Sequence, residues 1–164
     1  MNPFTPIAYL DLWALSSSLR HRLALFEGEA PLFARSNAEG GRDGAEWLPV
    51  MREWPQLRTA LARLRRLPGA ENYEWGAIWI QRLMPRQSGM WVAAEAGEWV
   101  EGVVAIVANP STCAFCGTAT IPLTPWCLVA VNRALPRCVV NWGDQAAFVL
   151  HVEFRKAEAE DEVV

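Results

Sequence analysis

Leu12, Leu15, Leu19, Leu23 and Phe26 recur at three- and four-residue steps, the spacing that lines one face of a helix. They predict an amphipathic helix from Asp11 to Phe26, with Asp11 placed to cap its free amides. From Ala34 to Gly44 the residues are mostly small or polar, including Ser36, Asn37, Gly40 and Gly41, which predicts a loop. A second helix is expected to open at Pro55, present Leu57, Leu61 and Leu64 to the core, and end near Arg66 before Pro68-Gly69. After Tyr73 the helical steps give way to short β-rich runs separated by turn residues. Strands are predicted at Trp75–Leu83, Trp99–Val107, Thr112–Phe115, Thr118–Ile121, Cys127–Val131, Cys138–Asn141 and Ala147–Phe154. Helices first and many short strands afterwards describe a mainly β, α+β chain with two helices packed on one face of a β-sandwich.

Composition sets the limits of this picture. With 164 residues, 52% of them hydrophobic and 20% charged, the chain can bury a core and is too apolar for disorder. One domain over residues 1–154 is expected, with a helix and loop at 1–46 and a β-rich region at 47–154. Residues 155–164 form a tail made acidic by Glu158, Glu160, Asp161 and Glu162. No apolar run approaches the roughly 20 residues of a spanning helix, so no membrane partner is expected. The opening Met1–Pro6 lacks the basic start and cleavage site of a signal peptide, which points to a cytoplasmic setting and free thiols. A net charge of -3 gives no general attraction to nucleic acid. Against that average, Arg58, Arg63, Arg65 and Arg66 form a basic stretch opposite in sign to the tail.

The turn residues narrow the fold. Leu83-x-Pro85, then Asn109-Pro110, then Leu135-Pro136-Arg137 running through Asn141-x-Gly143-Asp144, resemble in order and spacing the aspartyl/asparaginyl β-hydroxylases, which are iron- and oxoglutarate-dependent oxygenases. The resemblance covers Trp47 to Phe154 and implies a double-stranded β-helix, a cupin-like jelly roll. It also implies a degenerate site. Arg137 stands where that family has a metal-binding histidine, and Val92 and Ala94 stand at its histidine-x-aspartate motif. Glu101 and Val103 replace an arginine-x-histidine strand, and Ala147 falls at the cofactor-binding arginine. A guanidinium keeps its proton and offers a metal no lone pair. No catalytic, cofactor-binding or metal-ligating residue is therefore assigned, and no cofactor is expected. Val92, Ala94, Arg137 and Ala147 should nevertheless converge on one end of the β-helix, because the family positions line one cavity.

A non-haem iron site needs two imidazoles and a carboxylate on one face, and the chain has only His21 and His151. His21 is expected to face solvent from the first helix, and His151 to be partly buried and hydrogen-bonded in the last strand. Arg137 is read as a salt-bridged arginine at the barrel rim, with an anion anchor as the sharper alternative. Cys113-x-x-Cys116 has zinc half-site spacing, and Cys127 and Cys138 could complete it. On a strand, however, positions three apart point to opposite faces, so four buried thiols are the simpler account. Nine tryptophans are expected mainly to fill the core, with some left for contact. The functional expectation is a non-catalytic oxygenase-fold protein acting as a structural or interaction component. Its partners would be protein, through self-association or a larger assembly. Small relatives of the family occur in tailed phages, so the resemblance implies a phage-encoded or virion-associated setting. Two alternatives remain: an active β-hydroxylase-like dioxygenase with ligands elsewhere, and a small-anion binding module built around Arg137.

Overall fold

The structure, a computed structural model, describes residues 2–22, 59, 63, 66, 73–107 and 109–156. Its elements are β1 (Phe4–Tyr9), α1 (Trp13–Arg22), β2 (Tyr73–Leu83), β3 (Gln87–Ser88), β4 (Val100–Val107), β5 (Thr112–Cys116), β6 (Ala119–Pro122), β7 (Cys127–Val131), β8 (Arg137–Asn141) and β9 (Ala147–Lys156). They build two antiparallel sheets, ordered β1-β7-β4-β9-β2 and β3-β8-β5-β6.

Side-chain parity decides how the layers stack. On β4, Val103 and Ala105 face the second sheet and pack with Ala114, Cys116 and Val139, whereas Val104 and Ile106 face Leu15 and Leu19 of α1 and Leu12 just before it. Covered on both sides, the strand reads as a continuous apolar run from Val103 to Val107. The leucines that predicted the helix are therefore the residues that dock it, and Asp11 caps it by accepting from the Trp13 amide at 3.2 Å. Leu23, Phe26 and the 34–44 loop lie outside the described residues, as does most of the second helix. Thr59 and Arg63 within it are helical, and Arg63 donates to the Asp11 carbonyl at 2.6 Å. The predicted acidic tail lies outside them too, apart from Arg155 and Lys156, which extend β9 beyond its expected end.

Two strands were not expected. Phe4–Tyr9 contains Pro6 and is largely exposed, because it is an edge strand paired only with β7. Gln87–Ser88 is two residues long, too short for a periodicity. Cys113 and Cys116 lie on one continuous strand and point to opposite faces, with Cys116 in the inter-sheet core. Burial pushes the thiols of Cys113, Cys116 and Cys138 up. Among the described residues, no three His, Cys, Asp or Glu side chains are grouped to hold a metal ion. No described helix is long and apolar enough to cross a membrane.

Candidate functional site

The inward-facing residues of the first sheet change character along its strands. At one end they are Leu83, Ala105, Ala147 and Val149, all apolar and buried. At the other they are Trp79 and Gln81 on β2, Glu101 on β4, and His151 and Glu153 on β9, and these line a cavity of about 510 Å³. Register explains the grouping: His151 stands directly opposite Trp79 on one side and Val103 on the other.

Glu101 is the hub. One carboxylate oxygen faces His151 Nδ1 at 2.8 Å and the other accepts from Arg137 Nε. His151 Nε2 faces Gln81 Oε1 at 2.9 Å, and its ring stacks on Trp79 with centroids 4.8 Å apart. Arg137, contributed by β8 of the opposite sheet, also donates to Glu95 at 3.2 Å and to the Ala93 carbonyl at 3.3 Å. Arg133 continues the chain by pairing with Glu95 and with Glu153. Burial works against the charge on Glu101, but hydrogen bonding and attraction from His151 and Arg137 outweigh it and bring the carboxyl down to about 2. Burial likewise opposes the Arg137 charge, and Glu101 and Glu95 more than compensate, raising its pKa.

A carboxylate whose pKa falls on folding contributes stability that is complete above its unfolded value and lost as pH drops through the folded one. For Glu101 that window runs from 4.5 down to about 2. Acid unfolding of the wild type is therefore expected to steepen below pH 4.5, with Glu101 contributing about 3 kcal/mol. The same titration on Glu101→Gln should be flatter there. A variant that parallels the wild type through this window would contradict the assignment.

The opposite end holds a polar knot. Asn141 is fully buried; its Nδ2 donates to the carbonyls of Gln145 at 2.7 Å and Met84 at 3.1 Å, and its Oδ1 accepts from Asn109 Nδ2 at 2.9 Å and the Gly143 amide at 3.0 Å. A Cβ on Gly143 would lie 2.4 Å from the Asn109 amide, so only glycine fits the turn. Arg86 closes the knot by donating its amide to the Gly143 carbonyl at 3.1 Å and pairing with Asp144. Residues that carry the family resemblance, Leu83, Asn109, Asn141, Gly143 and Asp144, thus meet at one place and build a turn. Residues that depart from it, Val92, Glu101 and Arg137, meet at the cavity.

Similarity to known structures follows this geometry. The non-heme α-ketoglutarate-dependent epimerase SnoN from nogalamycin biosynthesis superposes with a TM-score of 0.63 at 11% identity, over 94% of this chain and 77% of that one. The fold is a double-stranded β-helix. A cupin domain of an XRE-family transcriptional regulator from Enterobacter cloacae (13% identity, 50% of this chain, 80% of that chain, TM-score 0.43) matches part of it. So does a predicted oxalate decarboxylase from Thermotoga maritima (12%, 49%, 67%, 0.43). No protein-family model and no curated relative matches the chain.

Within this β-helix the expected convergence holds in part. Val92 and Arg137 exchange backbone hydrogen bonds of 2.8 and 3.0 Å, and both line the cavity. Ala147 does not join them; it packs against Leu83 at the apolar end. Ala94 is exposed, and its neighbour Glu95 lines the cavity instead. Arg137 is salt-bridged, but buried inside the barrel rather than at a surface rim. As an anion anchor it is unsuited, since each of its three nitrogens is already engaged and two carboxylates neutralise it. His151 is buried and hydrogen-bonded as expected, while the side chain of His21 lies outside the described residues.

Iron fits this interior poorly. The cavity offers a single imidazole with both nitrogens faced by acceptors, and a carboxylate held by a guanidinium. A dication would have to break a buried ion pair and then sit beside the released positive charge. Sequence reasoning did not single out Gln81, Glu95, Arg133 or Glu153. The signal was parity: Gln81, Glu101, His151 and Glu153 are polar at positions where their strands point inward.

Proposed function

We propose that this chain is a non-catalytic protein on an oxygenase scaffold, serving as a structural or interaction component of a protein assembly. The observation that carries the reading is Arg137. It takes the place the family resemblance gives to a metal-binding histidine and is locked there by Glu101, Glu95 and a backbone carbonyl. A retained scaffold without its metal chemistry has to act through binding, and the surface supports this. Trp13, Trp91 and Trp142 are each more than half exposed, and Met90 is 87% exposed, although large apolar side chains are usually withdrawn from water. A virion or similar assembly is the setting the resemblance implies.

Two measurements test this reading. Purified protein supplied with iron(II), oxoglutarate and oxygen is expected to release no succinate above a protein-free control. Sedimentation is expected to give a mass above that of one chain, or a stable complex with a protein partner. Iron-dependent succinate release would overturn the non-catalytic reading, and a monomer that captures no partner would remove the interaction component.

A further inference from the structure

The carboxylates that line the cavity, Glu95, Glu101 and Glu153, are all matched by cations. Arg137 pairs with Glu101 and Glu95, and Arg133 with Glu95 and Glu153. Arg82 stands apart from this network. It lies between the inward-facing Gln81 and Leu83 on β2, the last strand of its sheet, and belongs to the same lining. At a sheet edge a side chain as long as arginine can turn around the strand, so alternation does not keep it from the cavity. Its Nε and Nη1 are buried and have no hydrogen-bond partner. A guanidinium keeps its proton and offers donors only, and a buried donor left unmatched is costly, the more so when it carries charge.

Two properties of the cavity select a ligand. Water can accept from the two nitrogens but leaves the charge uncompensated, whereas an oxoanion meets both needs through charge-assisted hydrogen bonds. Gln87 adds a further donor to the lining, because the Met84 amide engages its carbonyl oxygen at 2.7 Å and leaves its NH₂ group free. Much of the remaining wall is apolar, formed by Leu83, Val103, Ala114, Val131 and Val139. A second anionic group on the ligand would meet either these side chains or the three glutamates, and both disfavour it. One negative charge on an apolar body suits the walls best.

We infer that the cavity binds an organic monocarboxylate. Its carboxylate accepts from Arg82, and its apolar body lies along Leu83, Val103 and Val139. The volume of about 510 Å³ lies within the roughly 300–1,000 Å³ range of small-molecule sites. Met90 borders the same cavity and is exposed, which marks a route in from solvent. The site goes beyond the assembly reading and does not depend on it, since a chain that joins no assembly can still hold the acid.

Calorimetric titration of the purified protein with straight-chain monocarboxylates of increasing length tests this, with the matching primary amides, oxoglutarate and inorganic phosphate alongside. Affinity is expected to rise with chain length until the cavity is filled. The amide keeps an acceptor oxygen but lacks the charge, and is expected to bind about tenfold more weakly than its acid. Oxoglutarate and phosphate are expected to bind less tightly than the best monocarboxylate. Arg82→Met is expected to weaken binding of the acid by about tenfold or more, and to leave the melting temperature of the free protein unchanged or higher, because the change strands no partner. A lower melting temperature would place a carboxylate of the chain itself on Arg82 and overturn the inference. No monocarboxylate binding, an amide that binds as tightly as its acid, a preference for oxoglutarate or phosphate, or undiminished binding by Arg82→Met overturns it as well. The comparison of acid with amide uses the wild type and decides the matter even if the variant does not fold.

Discussion

Glu101→Leu is expected to destabilise the protein by about 3–5 kcal/mol, the usual consequence of removing one partner from a buried ion pair. Arg137 would lose its Nε acceptor and His151 the partner of its Nδ1, both inside the barrel. In a domain of this size the loss should lower the melting temperature by roughly 10 °C. The double variant Glu101→Leu/Arg137→Met is expected to recover most of the stability, because desolvating the pair offsets most of what its attraction contributes. Denaturant unfolding of both variants, with unchanged slope, measures the contrast. A single variant as stable as wild type would show that the Glu101–Arg137 contact does not organise the interior.

Asn141→Ala is expected to be comparably damaging, at about 3 kcal/mol or more, at the end of the fold away from the cavity. It would strand the Met84 and Gln145 carbonyls, the Gly143 amide and the Asn109 side chain at a position with 0% exposure. Asn141→Asp is the sharper probe. It keeps the shape and the acceptor, but turns an oxygen toward carbonyls that need a donor. It should destabilise at least as much as alanine, and an aspartate variant of wild-type stability would contradict the hydrogen-bond assignment.

These two clusters show what the sequence could and could not reveal. Local periodicity placed most strands within a residue or two: Cys127–Val131 came out as expected, β5 and β8 gained one residue at an end, and β6 moved by one residue as a whole. β1 was illegible because an exposed edge strand containing Pro6 carries no inward-outward alternation, and its pairing with β7 is long-range. Asn109, Asn141 and Gly143 could be recognised in the sequence because a tight turn constrains both residue type and spacing. The cavity was less legible. Glu101 and Arg137 are separated by 36 residues and lie on strands of different sheets, so no spacing rule connects them. Only the inward parity of Gln81, His151 and Glu153 hinted that polar groups share the interior, and parity does not say which partner each one finds. The cysteines illustrate the converse, since Cys113 and Cys116 have metal-like spacing but a continuous strand sends them to opposite faces.

The central claim is that the Arg137–Glu101–His151 network stands where the scaffold's metal would bind. Anaerobic calorimetric titration of the purified protein with iron(II), with oxoglutarate present, tests it most directly. The network predicts no saturable heat and no shift in melting temperature. One-to-one iron binding that disappears in His151→Ala and Glu101→Leu would contradict it, because those side chains would then be ligands rather than members of an ion-pair network.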